Sequence, residues 1–222
     1  KIMCNLIIAS HPDDEVLGCG GFIANRSSTE DCYVVILTGG SDGRYKDDMR
    51  SVLRQNAQEA NKILGTKDLF FEDLPNQKLE TLPIIEVTQT IEKYIKKLKP
   101  IRVFTQHGGD INRDHKIVYE ATMTATRAIV GQIVQEVYTY NTPSSTEWNF
   151  YEGEKVFIPT VYENIGLTID KKLEAMSLYK SECREYPHPR SLKALRAHAN
   201  YWGVNVGIQY AEPFKLMRKM MV

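Results

Sequence analysis

Five short runs rich in β-branched and aromatic residues, IMCNLIIA, CYVVILT, KDLFFE, RVFTQ and EVYTY, recur along the chain up to Tyr140, separated by longer stretches of helical period. That alternation is the mark of βαβ units, because each parallel strand pair needs a crossover long enough to hold a helix. The pattern predicts an α/β fold, a single Rossmann-like domain over residues 1–222, with a mostly parallel sheet flanked by helices. With 42% hydrophobic residues in 222, such a domain can bury its core without disulfide staples. No repeat, low-complexity tract or linker divides it.

The intervening segments carry their own signals. MRSVLRQNAQEANKILG places Val52, Leu53, Ala57, Ala60, Ile63 and Leu64 near one helical face and stops on Gly65. LPIIEVTQTIEKYIKKLKP repeats Ile84, Val87, Ile91 and Ile95 at helical spacing, gathers lysines in its last turn and closes on Pro100. A third helix is expected from near Asp114 through HKIVYEATMTATRA, with Ile117, Ala121, Thr124 and Ala128 on one face. Beyond Asn141 a long loop containing SSTEWN reads as a substrate-side insertion. A strand-like VYENIGLTI, helices over DKKLEAMSLYKSE and SLKALRAHANYWG, and a short closing strand complete the chain.

Charge and cysteine usage remove whole classes of function. Lys plus Arg and Asp plus Glu are 28 each, so no net field draws in nucleic acid or an acidic membrane surface. Cys4, Cys19, Cys32 and Cys183 are scattered without a C-x-x-C pair, which argues against a disulfide framework or zinc ribbon and for a reducing, cytoplasmic location. No stretch approaches the ~20 apolar residues of a membrane span. A homo-oligomeric assembly is compatible with this composition.

The first strand candidate ends in SHPDDE. In open parallel sheets the ligand crevice lies beyond the carboxyl ends of the strands, so His11, Asp13, Asp14 and Glu15 occupy the place where chemistry is done. His11 and Asp14 can offer a ring nitrogen and a carboxylate oxygen to Zn²⁺, with Pro12 stiffening the turn between them. Asp13 is then free for another task. A cap-only role for these acids does not account for three of them beside a histidine, although one is expected to cap the following helix. Gly18, Gly20 and Gly21 in LGCGG do not spell a dinucleotide fingerprint and are read as close helix–sheet packing, with Cys19 a small buried hydrophobe.

A metal site needs a third ligand, and GGDINRDH supplies His115 after the strand RVFTQ, at the start of a helix and the same sheet edge. Asp114 caps that helix or orients a histidine from behind. HPDDE together with GGDINRDH resembles the PIG-L family of zinc-dependent N-deacetylases, also called LmbE-like proteins, over most of the chain. The resemblance implies His11, Asp14 and His115 as ligands of Zn²⁺ or another divalent metal, with Asp13 as general base. It also implies a zinc-activated water that removes an N-acetyl or other N-acyl group from an amino sugar or glycoconjugate. A zinc amidohydrolase or esterase on a non-sugar substrate, and a non-catalytic sugar- or nucleotide-binding module, are the rival readings; the intact His and Asp set speaks against the module.

The pattern also departs from the family. Asn112 stands where relatives have a histidine that steadies the oxyanion, so Asn112 or His188 of YPHPRS is expected to take that role. Asp110 stands where some relatives carry tyrosine and is assigned either a supporting or substrate contact or a loop-forming Asx turn. Arg54 matches a substrate-contacting arginine of the family, Arg44 less so, and Arg190 suits an anionic or sugar group. Trp148 in the long loop is the candidate sugar-stacking face. Glu15 is either a helix-start charge or a partner that aims a ligand, while His107 and His198 are assigned to structure.

Overall fold

The computed structural model describes residues 2–39, 49–150 and 153–221. Arg44 and Tyr151, at the edge of the long loop, lie outside the described residues. The elements run β1 (Cys4–Ala9), α1 (Asp14–Arg26), β2 (Asp31–Thr38), α2 (Met49–Leu64), β3 (Asp68–Leu74), α3 (Ile84–Leu98) and β4 (Arg102–Gln106). They continue α4 (Arg113–Ala125), β5 (Glu136–Tyr140), β6 (Val161–Asn164), α5 (Ile169–Leu178), α6 (Leu192–Val204) and β7 (Ala211–Lys219). Seven strands form one sheet in the order β3-β2-β1-β4-β5-β7-β6. The first five are parallel, and β7 runs antiparallel to both of its neighbours. This is the single α/β domain with a mostly parallel, helix-flanked sheet that the strand alternation predicts. Among the described residues no helix is long and apolar enough to cross a membrane.

The period of two along the central strands sorts side chains between two cores. Ile7, Ala9, Val34 and Ile36 point to the face covered by α1, α2, α5 and α6, where Phe22, Leu53, Leu173 and Leu195 meet them. Leu6, Ile8, Val35 and Leu37 point to the other face, covered by α3 and α4 through Val87, Ile91, Val118 and Ala121. Because β1 and β2 are covered on both sides, their inner residues read as continuous apolar runs rather than alternating ones.

Helix α1 sits unusually close to the sheet. A Cβ on Gly18 would fall 2.1 Å from the Tyr140 ring, and one on Gly21 would fall 2.6 Å from Ile165. The glycines of LGCGG therefore serve close packing, and Cys19 is a buried hydrophobe among them.

Several helical faces differ from expectation by a residue or two. Val52 and Ile84 are exposed, at positions that begin a helix before it reaches the sheet. Helix α4 ends at Ala125, so Ala128 lies beyond it, and the buried face is Val118, Ala121, Thr122 and Ala125 rather than one through Ile117 and Thr124. VYENIGLTI is strand only over its first four residues and enters α5 at Ile169. The closing strand is nine residues long and central to the sheet's second half.

Candidate metal and catalytic site

Strands β1 and β4 are neighbours, but β1 leads to one side of the sheet and β4 to the other. The loops leaving their carboxyl ends part at this switch point and leave a crevice between them. The HPDD turn lines one wall. Its closure is local: Asp14 Oδ2 accepts the His11 backbone N–H at 2.9 Å, and the Asp14 N–H reaches the His11 carbonyl at 3.3 Å. From the other wall, Gln106 at the end of β4 donates to the same Asp14 oxygen at 3.1 Å, and α4 presents His115.

Three ligand atoms converge there. His11 Nδ1 lies 3.2 Å from Asp14 Oδ2, His115 Nε2 lies 3.3 Å from the same oxygen, and the two imidazole nitrogens are 3.3 Å apart. The outer nitrogens are each claimed by a buried carboxylate: His115 Nδ1 by Asp110 at 2.8 Å and His11 Nε2 by Asp114 at 3.0 Å. Those contacts assign the ring protons outward, leaving two imidazole lone pairs and a carboxylate oxygen facing one point. Such a convergence is repulsive unless a proton or a metal cation sits between the groups. Burial disfavours a charged His115, yet the carboxylates of Asp14 and Asp110 outweigh it and raise its pKa to about 10. The same negative field suits a dication, and two histidines with one carboxylate are a donor set for Zn²⁺ or a similar metal. The residues present fit such an ion.

The expected roles of the neighbouring acids divide differently from a simple helix start. Asp13 occupies the N-cap position of α1 but makes no side-chain cap hydrogen bond. Its backbone is in the left-handed region, φ 109°, a strained conformation for a non-glycine residue. Its carboxylate is instead bound by Arg190 Nη1 at 2.9 Å. Burial pushes the Asp13 pKa well above the usual carboxylate range, with Arg190 opposing it. Glu15 sits in the first turn of α1, but as a buried, hydrogen-bonded group rather than a solvated charge. It accepts the Asp13 N–H at 3.1 Å, and receives Tyr179 Oη at 2.6 Å and Asn61 Nδ2 at 3.1 Å. Its burial lifts its pKa to about 7.

The second loop shows a similar division. Asn112 is the α4 N-cap, its Oδ1 accepting the Asp114 N–H at 2.9 Å, so that oxygen is committed while the residue still lines the cavity. Asp114 does not cap. Besides His11, it accepts the Gln77 N–H at 2.7 Å and the Leu79 N–H at 3.2 Å, tying a third loop to the ligand. Asp110 is fully buried behind His115, out of reach of substrate, so its expected substrate contact is corrected to a ligand-orienting one.

A cavity of about 480 Å³ opens over these groups, within the range of small-ligand sites. His11, Asp13, Asn112, Trp148, His188 and Arg190 all line it. Trp148 meets the His188 ring edge-on at 5.5 Å between centroids. His188 Nδ1 accepts the Arg190 backbone N–H at 3.1 Å, and burial together with Arg190 and Arg184 lowers its pKa. Arg190 also reaches Glu182 at 2.9 Å and Ser144 at 2.6 Å. Arg54 is not brought to the cavity: with Arg50 it pairs with Asp73, and its guanidinium lies 5.0 Å over the Phe71 ring. His107 binds the Lys155 carbonyl at 2.9 Å and His198 binds Trp202 Nε1 at 3.0 Å, both structural as expected.

Sequence reasoning missed Gln106, Gln77, Tyr179, Asn61, Glu182, Arg113 and Arg184. Gln106 carried a usable signal, since a polar residue ends a buried strand beside His11. Asn61 lies in α2 and Tyr179 just past the end of α5, and the packing of those helices against α1 has no local trace in the sequence.

Comparison with known proteins agrees with this geometry. Residues 6–126 match the family described as PIG-L, GlcNAc-PI de-N-acetylase. The uncharacterized deacetylase YaiS of Escherichia coli is 31% identical over 79% of this chain and 90% of its own length. The probable N-acetyl-alpha-D-glucosaminyl L-malate deacetylase 2 of Bacillus cereus is 24% identical over 80% and 82%. Among solved structures, N,N'-diacetylchitobiose deacetylase of Pyrococcus horikoshii superposes with a TM-score of 0.77 at 20% identity, covering 96% of this chain and 83% of that one. The 4-carboxy-2-hydroxymuconate hydratase GalB of Pseudomonas putida superposes at 0.74 with 22% identity, covering 99% and 98%. At these identities the solved structures speak to fold alone.

Proposed function

The chain belongs to the PIG-L family, and from that premise we propose that it is a metal-dependent hydrolase that removes an N-acetyl or related N-acyl group from an amino sugar or its conjugate. The observation that carries the reading is the division of labour in one turn. The lone pairs of His11, Asp14 and His115 converge on one point, while the Asp13 carboxylate, one residue from a ligand, faces the cavity instead. Both curated relatives are named as deacetylases, and the name of one specifies an N-acetylglucosaminyl conjugate as its substrate.

His11, Asp14 and His115 would hold the ion, which when bound lowers the pKa of water to about 7 and polarises an amide carbonyl. The remaining steps belong to the chain's own side chains. Asp13 accepts the proton of the attacking water and returns it to the leaving nitrogen, so that acetate and a free amine are the products. Its burial raises its basicity toward the working range of a general base, and Arg190 keeps the carboxylate aimed at the cavity. Asp110, Asp114 and Gln106 fix the orientation of the ligands. His188 and the free amide of Asn112 are the donors placed to steady the developing oxyanion. Trp148 offers an aromatic wall to a sugar ring.

An acetate-release assay across N-acetylated sugars, sugar phosphates and glycolipids tests this reading, with Asp13→Ala as control. Release by zinc-loaded wild type that is lost in the variant is expected. Equal release by the two proteins, or none from any N-acylated amine, overturns it.

A further inference from the structure

Among the described residues the cavity wall carries an excess of positive charge. Arg113, the first residue of α4, and Arg184, in the loop before α6, both line the cavity and are exposed. Among the described residues neither side chain makes a hydrogen bond or ion pair. Arg190, the third arginine on the wall, is committed to Asp13, Glu182 and Ser144. Among the described residues those two carboxylates are also the only acids of the cavity lining, so its described negative charges are both engaged and two of its positive charges are not.

The excess is local, since the chain as a whole has a net charge of zero. It is also reinforced. The N-terminal end of α4, whose dipole is positive, opens at Arg113, and burial, with Arg190 and Arg184 adding to it, lowers the basicity of His188. Unpaired arginines sharing one cavity repel each other and contribute little to folding. An anionic ligand would relieve that repulsion, and a guanidinium fork matches phosphate and carboxylate oxygens.

We propose that Arg113 and Arg184 form a subsite for an anionic group, phosphate or carboxylate, carried by the substrate on the side away from the acylated nitrogen. The inference rests on the N-deacylase reading for where that nitrogen lies. It selects among amino-sugar conjugates, which the family match does not do, since the relatives' names cover both a malate conjugate and an uncharged disaccharide.

Deacetylated products bind without being turned over, so binding can be read on the zinc-loaded wild type by calorimetry. The ligands are glucosamine 1-phosphate, a carboxymethyl glucosaminide and the uncharged methyl glucosaminide. At low ionic strength at least one anionic ligand is expected to bind tenfold or more tighter than the methyl glycoside, with the ratio shrinking in 0.5 M NaCl, about which concentration exposed charges are largely screened. Whichever anion gives the larger ratio identifies the phosphate or carboxylate source. Arg113→Gln and Arg184→Gln should each cut the ratio about fivefold. Arg127→Gln, which removes the same charge beyond the far end of α4, should keep the wild-type ratio. A wild-type ratio near one, or a double variant Arg113→Gln/Arg184→Gln that retains the wild-type ratio, overturns the subsite. If anions are preferred but no N-acetylated parent releases acetate, the deacylase reading fails and the subsite stands. If acetate is released without anion preference, the subsite fails alone.

Discussion

Glu15 accepts the backbone N–H of Asp13 at 3.1 Å, holding in place a residue whose φ of 109° is strained. Left-handed backbone at a non-glycine residue costs about 1–3 kcal/mol, and a hydrogen bond to a carboxyl group contributes about 0.5–3 kcal/mol from its neutral to its ionised form, so one contact is of the size needed to offset the other. Glu15 is itself clamped by Tyr179 and Asn61.

Glu15→Ala is therefore expected to lower kcat about tenfold to a hundredfold with KM within a factor of two, the signature of a misplaced base rather than lost substrate contact. Tyr179→Phe, which frees Glu15 without removing it, should show a smaller loss of the same kind. Steady-state kinetics per zinc-loaded chain make the measurement, and wild-type kcat in folded Glu15→Ala would contradict the assignment.

The ligand cluster makes a separate prediction. In the metal-free site a proton on His115 takes the ion's place between the three groups, and zinc binds only where the fold brings them together, so saturating zinc should stabilise the fold, by about 4 kcal/mol at a thousandfold excess over Kd. His115→Ala should lose both bound zinc and the zinc-dependent rise in Tm. Elemental analysis with paired melting curves, with and without chelator, checks both; a melting rise that persists in His115→Ala would place the ion elsewhere.

Much of this site was legible because its chemistry sits where sheet topology requires polar residues. SHPDDE follows the first apolar run and GGDINRDH follows the fourth, and strand order brings exactly those two loops together. What was hidden depends on side chains meeting across helices. Nothing near Glu15 in the sequence announces Tyr179, 164 positions away, nor does any pattern show Arg190 closing on Asp13 across 177. Of the two roles open to Asp114 it takes the one on His11 and leaves the cap to Asn112, because two polar residues two positions apart can both cap and only the turn geometry decides. Arg54 was drawn off by Asp73, an acid on the neighbouring edge strand whose register against α2 is set by packing. The buried Lys172–Glu212 pair, at 2.6 Å with Glu212 also accepting the Gly21 and Phe22 N–H groups, likewise left no local mark.

His198 sets a pH dependence of stability. Its Nε2 accepts Trp202 Nε1 and faces Asn141 Nδ2 at 3.4 Å, both contacts of a neutral ring. Burial, with Lys172 nearby, lowers its pKa to about 4, against about 6.5 in the unfolded chain. Between those values the unfolded state binds more protons, so stability falls as pH falls from about 6.5 to about 4, by up to about 3 kcal/mol, and is unaffected above that window. His198→Gln should flatten this part of the acid limb relative to wild type. Urea midpoints measured from pH 7.5 to 4.5 on both proteins isolate the difference; parallel curves would exclude the histidine as its source.

Gly18 and Gly20 separate packing from helix propensity. Alanine favours a helix interior by about 1 kcal/mol over glycine, so both substitutions gain the same local term. A Cβ at Gly18, however, would sit 2.1 Å from a ring carbon of Tyr140, which is fully buried and anchored by its hydroxyl to the Ile8 carbonyl at 2.8 Å. The ring cannot swing away without breaking that bond, and overpacking of this kind costs about 1–3 kcal/mol or more. At Gly20 the nearest atom is Lys172 Cγ at 3.1 Å, a mid-chain methylene that can give by a few tenths of an ångström while its Nζ keeps the Leu17 carbonyl and Glu212. Gly18→Ala should therefore lower the urea midpoint clearly, while Gly20→Ala should leave it near wild type. Equal midpoints for the two variants would mean that α1 does not approach the sheet as closely as the Gly18–Tyr140 contact requires.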